Sequence, residues 1–431
     1  MIEEKTILVV DDEEGVRESV REILTDEGYR VIEASDGSKV LGLIRENRPD
    51  LVLLDIWMPE LDGIGLLKEI KQREPVVPVI MVSGHGNIHT AVTATKMGAF
   101  DFMEKPLSLE GLLTTVRRAL GESSPVDKGE NGDIGARPFS GVNAVPNAKS
   151  VTKAQPVLKQ RTLKKSVVVA GQGLHSGLKT GIILHPLPPN SGIVFSGISG
   201  DAAVPAHLDY VYSTGYATSL QGKGIVVGTV EHFLAALHSY RVSNLLVKIE
   251  GEIPILDGSA LEFCQLIEEA GIEEQEGNWS EIIIDQRYSV EMERGEWIAV
   301  EPGETFGVRY VLNYPKPVGK QEYSYLYRGP ESFKHEIAPA RTFGFVRDIE
   351  KLEKMGLVNG GRLSNCILID DDKIINTDLR YQEELARHKI LDIIGDFYLL
   401  GRPIRGRVTA HMTGHRDNVA LLKEIKKGMS L

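Results

Sequence analysis

The chain has 431 residues, 42% of them hydrophobic and 26% charged, and a formal net charge of −12. That length holds two or three domains with cores of their own, and the acidic balance argues against general nucleic-acid binding, which needs a basic surface. Cys264 and Cys366 have no metal-type spacing and make no disulfide scaffold, the opening "MIEEKTILVVDDEE" is too acidic for a signal peptide, and no apolar run approaches a membrane span. A cytoplasmic protein without a transmembrane segment is expected.

In chain order, residues 5–118 alternate apolar runs ("TILVV", "YRVIEA", "LVLLD", "VPVIMVS", "FDFMEKP") with amphipathic stretches such as "EEGVRESVREILTDEG". This alternation predicts an α/β doubly wound parallel sheet, in which function sits at the carboxyl ends of the strands. Those ends carry Asp11 and Asp12, Asp55, Ser83 and Lys105. Three crowded carboxylates need a cation, and hard oxygen ligands favour Mg²⁺. The Lys105 ammonium can neutralise a transferred phosphoryl group, and Pro106 after it can fix the turn. Residues 121–158 are rich in Gly, Pro, Ser, Asn and Lys without an apolar period, and are expected to form a flexible linker.

From 159 to the end the strand-like runs are "SVVVAG", "TGIILHP", "NLLVKIEG", "EIIIDQ", "FGVRYVLNYP", "NCILID" and "GRVTAH", with fewer helices between them. An α+β fold with antiparallel strands is expected. In "ARHKILDIIGD" (386–396), His388, Asp392 and Asp396 recur every fourth residue and share one helical face. Taken alone, this stripe reads as a histidine salt-bridged to its neighbours. A catalytic zinc, however, takes three His or Asp/Glu ligands and keeps a position open. His388 and Asp392 offer two, and "GTVEHFLAALHSY" offers His232 beside Glu231, a pairing that follows the logic of the zincin motif with a different spacing. His238, near the end of that helix, reads as a surface residue or cap. His175 in "GQGLHSG" and His415 in "TGHRDNVALL" are each ambiguous alone, and the glycine spacing of the former is wrong for a dinucleotide loop.

Residues 4–120, with "VVDDE", "LDIWMPELDG", "VSGHG" and "EKP" in order, resemble the receiver domain of bacterial response regulators. The resemblance implies phosphorylation of Asp55 by a sensor histidine kinase, and Mg²⁺ held by Asp12, Asp55 and the Trp57 carbonyl, with Asp11 acting through water. Ser83 would bind the phosphoryl oxygen, and Phe102 takes the aromatic-switch position. "SGHGN" is similar to the nitrogen-regulator class, yet the chain has no GxxxxGK[ST] motif for an ATPase and no evident C-terminal helix-turn-helix.

Residues 159–431 resemble the UDP-3-O-acyl-N-acetylglucosamine deacetylases of lipid A biosynthesis. The motifs are "QRTLKKSVVVAGQGLHSG", "TVEHFLAAL", "EIPILDGSA", "ARTFGFVRDIEKL", "GLVNGGRLSN", "ARHKILDIIGD" and "TGHRDNVALL". The resemblance implies two similar α+β sandwich domains, 159–283 and 284–431, with a zinc site between the halves. It makes His232, His388 and Asp392 the zinc ligands, Glu231 the general base and His415 the general acid oriented by Asp396. Thr342 would join the metal in stabilising the oxyanion, and Lys389 would lie near that charge or the substrate diphosphate. His175, Phe343 and Asp348 fall at substrate-contact positions, and Asp257 is expected to order its turn or support a neighbouring contact rather than perform chemistry. Three departures touch none of this chemistry: Arg362 stands where a small residue is usual, Tyr314 where histidine is common, and "IVFSGISG" lacks the usual Arg and Asp. A receiver controlling a zinc deacetylase is therefore expected, with transient membrane contact through its lipid substrate. The alternative is a signalling protein whose deacetylase-like part is a non-catalytic binding module.

Overall fold

The computed structural model describes residues 5–58, 61–84, 88–105, 107, 109–122, 158–198 and 202–429. They form two compact units, a first within 1–156 and a second that takes in 157–431. The expected linker lies outside the described residues except for Gly121, Glu122 and Leu158, as does Pro106. Among the described residues no helix is long and apolar enough to cross a membrane.

The first unit is a five-stranded parallel sheet made of β1 (Thr6–Val10), β2 (Arg30–Ala34), β3 (Leu51–Asp55), β4 (Val79–Ser83) and β5 (Asp101–Glu104), in the order 2-1-3-4-5. Strands β1, β3 and β4 are buried at every residue, as expected where helices cover both faces of a parallel sheet. The helices α1 (Glu14–Asp26), α2 (Val40–Asn47), α3 (Gly63–Arg73), α4 (Ile88–Lys96) and α5 (Leu109–Ala119) alternate with the strands. Asp62 caps α3 by accepting the Ile64 N–H at 3.0 Å. Gly63 must be glycine, because a Cβ there would lie 2.3 Å from the Asp55 carbonyl oxygen. The chain therefore turns tightly over the end of β3, where the carboxylates gather.

The second unit contains one supersecondary pattern twice. In its first half, β6 (Val167–Gln172), β7 (Lys179–Pro186), β8 (Ile193–Ser196) and β9 (Ala203–Pro205) are followed by α6 (Glu231–Tyr240), β10 (Leu245–Ile249) and α7 (Leu261–Ala270). The second half repeats this with β11 (Tyr288–Glu291), β12 (Trp297–Glu301), β13 (Gly307–Asn313), β14 (Lys320–Leu326), α8 (Glu384–Phe397), β15 (Arg407–His411) and α9 (His415–Met429). The sheet orders match strand for strand, β9-β8-β10-β7-β6 and β14-β13-β15-β12-β11. The strands are not all antiparallel, as the sequence suggests: the last strand of each half inserts parallel to the third, β10 beside β8 and β15 beside β13. Each arrives through a helix, and a helical crossover is what permits a parallel pairing. "EIIIDQ" contributes only the short strand Ile282–Ile283, which pairs with Ile404–Arg405.

The two equivalent helices α6 and α8 pack on each other. All of α6 is buried, as is every residue of α8 except Arg387 and Lys389, so these are core helices rather than amphipathic surface ones. Gly395 sets their approach, since a Cβ there would lie 2.0 Å from the Glu231 carbonyl oxygen. Phe233, Leu234, Leu237, Ile390, Leu391, Ile394 and Phe397 join a single apolar cluster that spans both halves. His238 belongs to this interior: it is 2% exposed, packed edge-on to Phe306 and Tyr398, and its Nε2 meets the Arg241 guanidinium at 3.2 Å. The reading of His238 as a surface residue fails because the second half covers the helix end that would otherwise face water.

Candidate functional site

The close crossing of α6 and α8 brings polar side chains from both helices into one buried spot. Nε2 of His388 lies 3.5 Å and Nε2 of His232 3.7 Å from Oδ1 of Asp392. That oxygen is buried and has no hydrogen-bond partner, which would be costly for an anion left alone. The donor atoms of the three residues lie within 4.8 Å of one another. His388 turns its Nδ1–H to the Ala340 carbonyl at 3.1 Å, a bond that fixes the tautomer and leaves the Nε2 lone pair free. Burial pushes its pKa down to about 3, so the ring is neutral. Two imidazole nitrogens and one carboxylate oxygen converging at one buried spot suit a zinc-type cation.

Asp392 keeps its charge. Burial works against it, but the Lys389 ammonium holds its pKa well below the carboxylate range. The Lys389 ammonium sits 3.0 Å from Oδ2, which also lies 3.9 Å from Nε2 of His415, while Oδ1 faces His232 and His388. Burial lowers the Lys389 pKa and Asp392 more than reverses this, leaving the side chain charged.

A carboxylate and an imidazole adjoin the cluster. Glu231 is buried and its pKa is raised by that burial. Its Oε2 accepts the Thr218 N–H at 3.1 Å, and its Oε1 lies 3.8 Å from Nε2 of His415. His415 opens α9, and its Nδ1 meets Oδ2 of Asp396 at 2.9 Å. Burial lowers the His415 pKa, but Asp396, Asp392 and Glu231 together raise it to about 10, so the ring is an imidazolium at neutral pH. Asp396 also accepts the Asn418 amide at 2.8 Å and the Thr218 hydroxyl at 2.6 Å. Sequence reasoning misses Thr218 and Asn418. Thr218 lies in no quoted motif and Asn418, inside "TGHRDNVALL", is given no role there; their partner lies 178 and 22 positions away.

Around this centre, Thr342 is bracketed by Ala340, whose carbonyl meets His388, and by Phe343, whose ring centroid is 6.0 Å from that of His388. Phe343 also stacks edge-on with Tyr314 and Phe345, and the Lys389 ammonium lies 5.4 Å from its ring. The segment bearing Thr342 is clamped to α8 by a buried ion pair, Arg341 Nε to Glu384 Oε1 at 2.8 Å. His175 has two buried ring nitrogens without hydrogen-bond partners, and burial lowers its pKa. Its loop is held by Glu252, which accepts the backbone N–H groups of His175 and Ser176 and the Thr229 hydroxyl. Asp257 accepts the Ser259 N–H and hydroxyl and so orders its turn. Asp348 is exposed in the first turn of the helix Val346–Lys354, with no hydrogen bond or ion pair to the cluster among the described residues.

In the first unit, Asp11, Asp12 and Asp55 likewise present oxygens within 4.8 Å of one another. The Lys105 ammonium bridges Asp11 Oδ2 at 2.7 Å and Asp55 Oδ2 at 3.1 Å, and reaches Glu13 at 3.0 Å. Burial, aided by Asp11, raises the Asp55 pKa against the pull of Lys105. Ser83 and Phe102 are buried at the adjoining strand positions, whereas the Trp57 side chain is exposed.

A model of the UDP-3-O-acyl N-acetylglycosamine deacetylase family matches residues 160–427, and one of the response regulator receiver domain matches residues 7–117. A UDP-3-O-acyl-N-acetylglucosamine deacetylase of Myxococcus xanthus is 43% identical over 270 residues, 62% of this chain and 86% of the relative. One of Acidithiobacillus ferrooxidans is 43% identical over 276 residues, 62% of this chain and 90% of the relative. The crystal structure of the receiver domain of NtrX from Brucella abortus is 50% identical, covering 27% of this chain and 99% of that one, with a TM-score of 0.26. The chain belongs to the UDP-3-O-acyl N-acetylglycosamine deacetylase family and carries a response regulator receiver domain in its N-terminal part.

Proposed function

We propose that this hydrolase removes the N-acetyl group of UDP-3-O-acyl-N-acetylglucosamine at a zinc ion held by His232, His388 and Asp392. The observation that carries the reading is the buried, unpartnered Asp392 Oδ1 facing two imidazole nitrogens beside Glu231. Zinc bound there supplies a Lewis acid that polarises the amide carbonyl and acidifies water. Glu231 takes the proton of the attacking water on Oε1, while the Thr218 N–H keeps Oε2 in place. Thr342 and Lys389 act on the developing oxyanion, where fixed donors in a dry site have most effect. His415 gives its Nε2 proton to the amine nitrogen as the C–N bond breaks; Asp396, holding Nδ1–H, leaves Nε2 as the proton to give. The products are acetate and the free amine. His175, Phe343 and Asp348 are assigned to substrate contact.

In the receiver, Asp55 is assigned as phosphoacceptor, with a sensor histidine kinase as donor. Magnesium at Asp11, Asp12 and Asp55, with the Trp57 carbonyl, would offset their charge, and Ser83 and Lys105 would bind the phosphoryl oxygens. Boundaries of 1–120 for the receiver, 121–158 for a linker, and 159–283 and 284–431 for the deacetylase halves accompany this reading. A nucleotide-sugar substrate and a kinase partner place the protein in the cytoplasm, with transient membrane contact through the acyl chain. The completeness of the acid, base and ligand set favours catalysis over a non-catalytic binding module.

The test is acetate release from UDP-3-O-acyl-N-acetylglucosamine by the purified chain, with zinc content measured in parallel. A zinc-loaded Glu231→Ala protein as fast as wild type would remove the base role. Phosphorylating Asp55 with a small phosphodonor and finding the rate unchanged at every substrate concentration would remove control by the receiver.

A further inference from the structure

We infer that Thr218 is a positioning residue that ties the proton acceptor and the proton donor of the reaction into one rigid unit; the inference rests on the roles of Glu231, Asp396 and His415 just proposed. Thr218 is 0% exposed, so it is not offered to a substrate. It makes three bonds to the reacting region. Its N–H donates to Glu231 Oε2 at 3.1 Å, its hydroxyl donates to Asp396 Oδ1 at 2.6 Å, and its carbonyl accepts the Val230 N–H at 3.2 Å at the entry to α6. Glu231 comes from α6 of the first half and Asp396 from α8 of the second, so one residue holds carboxylates from both.

The two oxygens of Asp396 are divided between orientation and chemistry. Oδ2 takes the His415 Nδ1–H at 2.9 Å and the Asn418 amide at 2.8 Å, whereas Oδ1 takes the Thr218 hydroxyl. A carboxylate held on one oxygen can turn about its last bond and carry the histidine ring with it; held on both, it cannot. Proton transfer is sensitive to that placement, since sub-ångström shifts of a reacting group reduce the rate without weakening ground-state binding. Thr218 thus fixes His415 Nε2 relative to Glu231 Oε1, now 3.8 Å apart.

The experiment compares full-length, zinc-loaded wild type, Thr218→Val and Thr218→Ser with UDP-3-O-acyl-N-acetylglucosamine as substrate. Valine keeps the shape and the N–H bond to Glu231 and removes only the hydroxyl. Thr218→Val should lower kcat by roughly tenfold or more, the size expected for losing a hydrogen bond to a buried charge, with KM and zinc content unchanged. Thr218→Ser should return kcat to within about threefold of wild type. Wild-type kcat in Thr218→Val overturns the inference. So does Thr218→Ser as slow as Thr218→Val, which would trace the effect to side-chain bulk. Should Thr218→Val not fold, Thr218→Ala against Thr218→Ser makes the same comparison: equal rates overturn the inference, and a faster serine supports it. Glu231→Ala and His415→Ala, measured alongside, separate the levels. Wild-type rates in these would remove the acid–base roles and this inference with them, whereas their failure beside a fully active Thr218→Val removes the Thr218 inference alone.

Discussion

Among the described residues, two clusters of metal-ligand-type side chains stand out, and each relieves its crowding differently. In the first unit, carboxylates gather at the end of a parallel sheet and a lysine from β5's end bridges two of them. In the second, the Asp392 carboxylate is divided: Lys389 pairs with one oxygen, and the other faces two imidazoles without a hydrogen-bond partner. The first arrangement is all oxygen and has its counter-cation already in place, as suits a hard ion that exchanges readily. The second mixes nitrogen with oxygen in a buried spot, as suits a tightly held borderline ion. Donor chemistry, rather than the number of acidic groups, separates the two.

The largest effects should come from breaking the second cluster. Glu231→Ala is expected to lower kcat by roughly 10²–10⁴-fold while zinc content, read by atomic absorption, stays near stoichiometric. Asp396→Asn should shift the alkaline limb of the kcat profile. The His415 pKa is raised from 6.5 to about 10, so its ion pair stabilises the fold fully below 6.5, and that contribution is lost as pH rises through about 10. Without the Asp396 charge the limb should fall towards 6.5; an unmoved limb would mean that another group sets it. Gly395→Ala forces a methyl against the Glu231 carbonyl oxygen and should cost about 1–3 kcal/mol in denaturant unfolding of the second unit. Chelation followed by single-metal readdition tests the contrast itself: zinc should restore deacetylation, and magnesium should restore only Asp55 phosphorylation. The smallest effect is expected from Lys105→Ala, which should leave the unphosphorylated deacetylation rate unchanged and blunt its response to a phosphodonor.

The same contrast governs how much of each cluster is legible in the amino-acid sequence. The receiver's polar residues follow directly on apolar strand runs, so finding the strands finds Asp11, Asp55, Ser83 and Lys105. The stripe His388, Asp392, Asp396 is visible through helical periodicity alone, and Glu231–His232 through its place at the start of an apolar helix. The roles of Thr218, Asn418, Glu252 and Glu384 are not legible, even where Glu252 and Asn418 fall within quoted motifs. Each is an ordinary residue type whose role comes from a partner in another element: Glu252 holds a loop 77 positions back, and Glu384 clamps Arg341 across 43. The parallel strand insertions are hidden for a similar reason, because alternation shows a strand and not the direction of its neighbour. His238 is misplaced because a helix end reads as surface until something covers it.

The most direct test is zinc content and acetate release, measured together, for wild type and His388→Ala acting on UDP-3-O-acyl-N-acetylglucosamine. We expect one zinc per wild-type chain with turnover, and loss of both in His388→Ala. Undiminished acetate release by a zinc-free His388→Ala protein would contradict a catalytic ion held by His232, His388 and Asp392.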